Sequence, residues 1–247
     1  MQKRGQLTIF IIVAVVVVAM VAIIFLVSPE LRTGLGGAAE SPENFIQTCL
    51  EDVIKEDVDM LSLQGGSLEP EFYYLYQDHK LQYLCYSSEY YELCTVQVPF
   101  LRTHIEGEIK ESIEDDVEFC FDLLEENYKD STLTRGDMKV EILPQRILTT
   151  INNEFVFTKA GETERRESFR VVLNNNLYEL VAIAQNIIEW ENIYGSVNPD
   201  TYMDLYRDLK VEKYDQIDET TVYILTNKDT EDKFQFVSRS LAFSPLD

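Results

Sequence analysis

The chain has 247 residues and sets 21 basic against 44 acidic side chains, a formal net charge of −23. That balance repels nucleic acid and anionic lipid surfaces and argues against a nucleic-acid-binding role. The first element, Met1 to Leu7, holds Lys3 and Arg4 and no acid. Thr8 to Val27 follows with no charge, proline or glycine. A helix of that length covers about 30 Å, the hydrocarbon thickness of a bilayer, so the sequence predicts a single transmembrane helix over 8–27. The basic flank keeps residues 1–7 in the cytoplasm and sends the remainder out. A cleaved secretory signal fits less well. Its apolar region runs to about 15 residues, and the small-residue candidate Gly37-Ala38-Ala39 lies well past the apolar end. Residues 28–40, with Gly34, Gly36 and Gly37, read as a flexible stalk.

Lys3-Arg4-Gly5-Gln6, running straight into an apolar helix, resembles the class III, type IV prepilin-like signal of archaeal surface proteins. The resemblance covers roughly the first tenth of the chain. It implies cleavage after Gly5, with Gln6 as the new N-terminus and the apolar helix retained. Two features depart from the pattern. Phe10 stands at the fifth mature position, where many pilins carry a glutamate, and Pro29 with the stalk glycines interrupts the helix that many pilins continue into the head. A plain uncleaved anchor explains Lys3 and Arg4 equally well.

Residues 41–247 carry −24, one unit beyond the whole chain, because Lys3, Arg4 and Arg32 outnumber Glu30 and Glu40 in the first forty. This length suffices for one sizeable core or two small ones, with 131 as a candidate boundary between 41–130 and 131–247. Ser41-Pro42-Glu43 opens a helix, Ile46, Leu50, Val53, Ile54 and Leu61 form its apolar face, and Gly65-Gly66 ends it. Phe72 to Tyr76 and Leu81 to Leu84 read as strands around the polar turn Gln77 to Lys80. Tyr83, Tyr86, Tyr90 and Tyr91 make this region aromatic-rich, either as an interaction surface or as strand packing with hydroxyls at the edge. Thr103 to Glu106 matches a capping box, with His104 as an exposed first-turn residue. A helix then runs to about Tyr128 with the stripe Ile105, Ile109, Ile113, Val117, Cys120, Phe121 and Leu124.

The pattern next changes to strands at Met138–Leu143, Arg146–Ile151, Glu154–Lys159 and Glu167–Leu173, with Asn152-Asn153 as a hairpin turn. Asn174 caps a helix carrying Leu177, Leu180, Val181, Ala184, Ile187 and Ile188. Asn198-Pro199 starts a shorter helix to about Leu209, and Thr220–Thr226 with Lys233–Ser238 close the chain as a hairpin. Helices and short strands, then a meander, a helix and a hairpin, give an α+β class: amphipathic helices packed on short antiparallel strands.

Cys49, Cys85, Cys94 and Cys120 are even in number and suggest two disulfides. Three pairings are open. The preferred one joins Cys85 to Cys94 across a short excursion and Cys49 to Cys120 between two helices. A zinc site lacks any Cys-x2-Cys knuckle. No Walker loop, His-Glu-x2-His, Gly-x-Ser-x-Gly or calcium loop occurs, so no catalytic, cofactor or metal ligand set emerges. The sequence therefore points to a membrane-anchored surface or envelope protein whose acidic domain serves protein interaction or self-assembly, in the pilin-like manner or as a plain anchor. The alternatives are a tethered extracytoplasmic hydrolase and a small-ligand receptor. The mature N-terminus of protein taken from its own membrane separates the two anchoring modes: Gln6 for prepilin-type processing, Met1 for a simple anchor.

Overall fold

The computed structural model describes residues 41–241, apart from Lys129, Ala160 and the side chain of Lys159. Pro42–Asp247 forms one compact unit. Its first element, α1 (Pro42–Leu63), has proline at the first helical position, where a missing N–H costs nothing, and Glu43 in the first turn, next to the positive helix end. Ile46, Leu50, Ile54, Val58 and Leu61 recur every three or four residues and are all buried. Gly65 and Gly66 both take positive φ, and the Gly66 N–H closes the helix on the Leu61 carbonyl at 2.8 Å.

The hairpin β1 (Tyr73–Tyr76) and β2 (His79–Tyr86) turns at Gln77-Asp78, both at positive φ, as a two-residue turn demands. After the short β3 (Thr95–Val96) come α2 (Leu101–Ser112) and α3 (Glu114–Asn127). Next are β4 (Thr132–Thr134), β5 (Met138–Leu143), β6 (Arg146–Ile151), β7 (Glu154–Lys159), β8 (Glu162–Arg166) and β9 (Phe169–Asn174). The chain continues with α4 (Leu177–Tyr194), α5 (Pro199–Leu205), β10 (Leu209–Asp215), β11 (Thr221–Asn227) and β12 (Lys233–Arg239).

Three sheets form. The largest has the order β1-β2-β12-β11-β10, with β3 on β2; the others are β4-β7-β8 and β5-β6-β9. Helix α1 packs on β9, β12 and α3, α2 on β5, and α4 on β12 and β11. One buried cluster holds the α1 face, the whole stripe from Ile105 to Leu124, and the inner faces of the sheets, so it contains residues from both sides of 131. Phe121 meets Phe169 edge-on at 4.9 Å, and Tyr223 stacks with Phe236 at 5.1 Å. Both outer strands of the β5-β6-β9 sheet are capped by helix side chains. Val172 on β9 exchanges two bonds with the Gln47 amide, at 2.9 and 3.1 Å, and the Ile142 N–H on β5 donates to Glu106 at 2.9 Å.

The α+β class stands, but two parts of the expected architecture are corrected. Among the described residues no helix is long and apolar enough to cross a membrane; the span expected at 8–27 and the stalk at 28–40 lie outside the described residues. The strands are also not all antiparallel. β2 and β12 run parallel, with Tyr83 opposite Val237 and Tyr86 opposite Arg239, so the large sheet is mixed. The near-continuous burial of both strands is that of central strands covered on two faces.

Local corrections have local causes. The expected capping box fails because α2 begins at Leu101, with Phe100 as an uncapped N-cap, and the Glu106 carboxylate is used at β5. The long helix is divided at Ile113, where the Ser112 hydroxyl donates to the Ile109 carbonyl at 3.0 Å. Asn152-Asn153 is no hairpin turn, since β6 and β7 belong to different sheets. The Asn153 side chain accepts from the Gly136 N–H at 2.8 Å. Gly136 sits so close that a Cβ there would lie 2.1 Å from the Asn152 carbonyl oxygen. Asn174 ends β9, and α4 starts instead after Asn176, with the Leu177 N–H donating to Asn175 at 2.7 Å. Helix α5 stops at Leu205, and Leu209 opens a strand.

Cys49 is bonded to Cys120, joining α1 to α3, and Cys85 to Cys94, joining β2 to the start of β3. The first bridge spans a sequence separation of 71. Constraining a loop of that length in the unfolded chain contributes about 4 kcal/mol on the chain-entropy account. The double variant Cys49→Ala/Cys120→Ala should therefore melt about 10 °C lower in a calorimetric scan. An unchanged Tm would show that α1 and α3 are held by packing alone.

Candidate functional site

The large sheet has a second face, turned away from the main core. Leu81, Tyr83, Val222 and Val237 are buried there beneath the partly exposed Tyr74, Tyr76, Tyr86 and Ile224. Strand alternation selects these residues: Tyr83, Val237, Val222 and Tyr214 stand opposite one another across β2, β12, β11 and β10. Phe72 stacks on Tyr83 at 4.7 Å and meets Tyr86 edge-on at 4.8 Å.

A polar rim organises one end of this face. Arg239 donates to the carbonyls of Ser87 at 2.8 Å and Asp218 at 2.9 Å, while its guanidinium lies 5.6 Å from the Tyr86 ring centre. It thereby ties the 87–94 loop to the β10–β11 turn. The Tyr90 hydroxyl adds a second tie by donating to Glu219 at 2.8 Å. The loop is further held by the Ser87 N–H on the Arg239 carbonyl, the Tyr91 N–H on the Leu241 carbonyl at 2.7 Å, and the Cys85–Cys94 bridge.

The four tyrosines singled out from the sequence fall in this region but play different parts. Tyr83 is only 6 % exposed, and its hydroxyl bonds that of Thr220 at 2.9 Å. Burial raises its pKa, with Asp218 adding to the rise and the Thr220 bond opposing it. Tyr86 is half-buried beside Arg239. Tyr90 is 48 % exposed, with its pKa raised by the hydrogen bond to Glu219, and Tyr91 is 71 % exposed on a residue at positive φ. Tyr90 and Tyr91 therefore present surface, whereas Tyr83 is structural.

The sheet ends at β1, and this edge is unlike those of the β5-β6-β9 sheet. Tyr73-Tyr74-Leu75-Tyr76 carries no charge, proline or bulge. The Phe72 carbonyl accepts from the Tyr83 N–H, so by antiparallel alternation Tyr73 and Leu75 turn their own N–H and C=O groups outward. Leu75 is 62 % exposed. A row of unpaired peptide groups beside an aromatic face can accept an extended chain. Sequence reasoning marked the aromatic density but missed Arg239, Glu219 and the β1 edge. The first two carry no local signal, and an edge is defined only by the finished sheet.

Other reactive groups sit apart. His104, expected at the surface, bonds the Ser67 hydroxyl at 2.8 Å and fastens the turn after α1. His79 begins β2, half-buried. Among the described residues no three His, Cys, Asp or Glu side chains gather as metal ligands. A buried carboxyl lies at Glu191 on α4, 2 % exposed, which accepts a hydrogen bond from the fully buried Tyr223 hydroxyl on β11. Burial raises the pKa of both groups, against the pull of Ser238, Tyr223 and Lys213 on Glu191. The bond between them joins α4 to the sheet. With the fold and this site described, comparison with known proteins adds nothing: no protein-family model, curated protein or solved structure matches the chain.

The raised pKa of Glu191 has a signed consequence. The folded state holds that proton more tightly than the unfolded chain, so the contribution is full below the ordinary carboxylate range. It is lost as pH rises from there through the folded value. Tm measured across this window should fall more steeply in the wild type than in Glu191→Gln, which keeps a neutral side chain throughout. Parallel curves would mean that the fold does not raise the pKa of Glu191.

Proposed function

We propose that the chain is a cell-surface or envelope protein that presents its acidic, disulfide-braced domain for protein interaction or self-assembly. In this reading it is tethered at the membrane through residues 8–27, with its bulk extracytoplasmic. Cleavage after Gly5, leaving Gln6 at the N-terminus, would give this tether its pilin-like form. Two disulfides support an oxidising compartment. The observation that carries the interaction role is the β1 edge: an uncharged strand with outward peptide groups, on a domain that caps both edges of a neighbouring sheet. Strand addition at such an edge draws affinity from main-chain hydrogen bonds and specificity from flanking side chains, here Tyr90, Tyr91 and the tyrosines of the outer face. The acidic surface would orient the encounter and disfavour acidic partners.

A photo-crosslinking residue at Tyr73, activated in intact cells, should give a discrete adduct, with a second copy or with another protein. Leu75→Pro deletes an outward N–H on an edge strand, where proline is tolerated. It should leave Tm nearly unchanged and reduce the adduct about tenfold, the effect of about 1.4 kcal/mol in binding. The proposal fails if the Tyr73 probe yields no more adduct than one at exposed Lys110 on α2.

A further inference from the structure

The end of α4, the turn at Gly195 and α5 enclose a groove of about 380 Å³, and none of its residues takes part in the tyrosine-rich face. Its construction is local. Gly195 takes φ 73°, and its N–H closes α4 on the Glu191 carbonyl at 2.8 Å. Asn198 caps α5 ahead of Pro199. One wall is aromatic: Trp190, 48 % exposed, stacks on Tyr194 with ring centres 4.8 Å apart. Leu205, also exposed, stands in the opposite wall.

The polar lining has a bias. The Asn198 side-chain oxygen already accepts from the Asp200 N–H at 3.0 Å, which leaves the amide NH2 to offer. The Ser196 hydroxyl accepts from the Lys213 ammonium at 2.8 Å, which leaves its O–H. The Asn186 oxygen accepts from the Tyr202 hydroxyl at 2.7 Å, which again leaves an NH2. The groove therefore presents an apolar aromatic wall and three hydrogen-bond donors, from Asn186, Ser196 and Asn198, whose oxygens each already accept one bond. None of its lining side chains is charged.

We infer that this groove binds a proline-rich segment in the polyproline II conformation. Such a segment keeps every carbonyl acceptor while proline removes the N–H donors, which complements the three donors of Asn186, Ser196 and Asn198. Its pyrrolidine rings pack on aromatic walls, and its conformation is set before binding, so little entropy is lost. The charge on the page adds a second requirement. Exposed Glu189 on α4 and Asp200 and Asp204 on α5, within a domain of net −24, favour lysine or arginine flanking the prolines.

Trp190 is the sole tryptophan of the chain and reports directly on the groove. The full chain is titrated with three probes while tryptophan emission is followed. These are a synthetic peptide of repeated Pro-Pro-x flanked by lysines, a Gly/Ser peptide of equal length and charge, and neutral mono- and disaccharides. The proline peptide should shift the emission saturably, and Tyr194→Ala, which keeps the reporter, should weaken it at least about tenfold, or about 1.4 kcal/mol. Phe119→Ala, exposed on α3 and absent from the lining, should leave it unchanged. The inference is overturned if the proline peptide gives no saturable shift or if the Gly/Ser peptide binds equally well. It is also overturned if Tyr194→Ala has no effect or if only the saccharides bind.

Discussion

The parallel pairing of β2 with β12 holds the large sheet together. It joins the first hairpin of the domain to the last, through strands about 150 positions apart in the chain; the Arg239 to Ser87 bond beside it spans 152. The small set of hydrogen bonds between these strands must offset a large loop-closure entropy, and it can do so only with the hydrophobic burial that accompanies it. That burial is two-sided. Phe234 and Phe236 face the main core, while Val237 and Tyr83 face the outer cluster. Without this ladder Arg239 would have neither the Ser87 carbonyl nor the Tyr86 ring, and the 87–94 loop would lose its partner strand. The aromatic face thus exists only when both chain halves are in place, which also predicts slow folding from its many non-local contacts.

What could be read from the sequence was what short-range periodicity encodes. The α1 face and the stripe from Ile105 to Leu124 are buried because each repeats at helical spacing, and β5, β6 and β7 begin and end where turn residues and β-branched runs mark them. Failures came where a side chain serves a distant backbone. Glu106 looks like the second half of a capping box but satisfies Ile142, 36 positions on. Asn153 looks like a hairpin residue but receives the Gly136 N–H. The parallel pairing has no local signature, and β10 was hidden behind a helix that ends four residues earlier than its composition suggests. At the candidate site, tyrosine density was visible, yet which rings are buried depends on strand alternation. Tyr83 points into the outer cluster while Tyr90 and Tyr91 lie on a loop, and Arg239 comes from the far end of the chain.

The distribution of edge protection separates two kinds of surface. On the β5-β6-β9 sheet, where the outer strands pack beside α1 and α2, the helices supply an amide that bonds both peptide groups of Val172 and a carboxylate that accepts from the Ile142 N–H. On β1 no such side chain appears among the described contacts, although Lys80 lies 5.1 Å from the Tyr73 ring and could shield it in part. The negative charge of the domain acts at longer range and disfavours acidic partners. In the proposed interaction role, the uncapped edge is the surface that a partner strand would occupy.

The Gln47 cap depends on the chemistry of a single amide. Its NH2 donates to the Val172 carbonyl and to Glu51, while its oxygen accepts from the Val172 N–H. Conversion to glutamate by spontaneous deamidation would replace that donor with an acceptor facing a carbonyl and a second carboxylate. The same residue that imitates a neighbouring strand is thus a point of chemical ageing. In deamidated protein the Val172 carbonyl would lose its donor while the Val172 N–H kept an acceptor, without any break in the chain or loss of a disulfide.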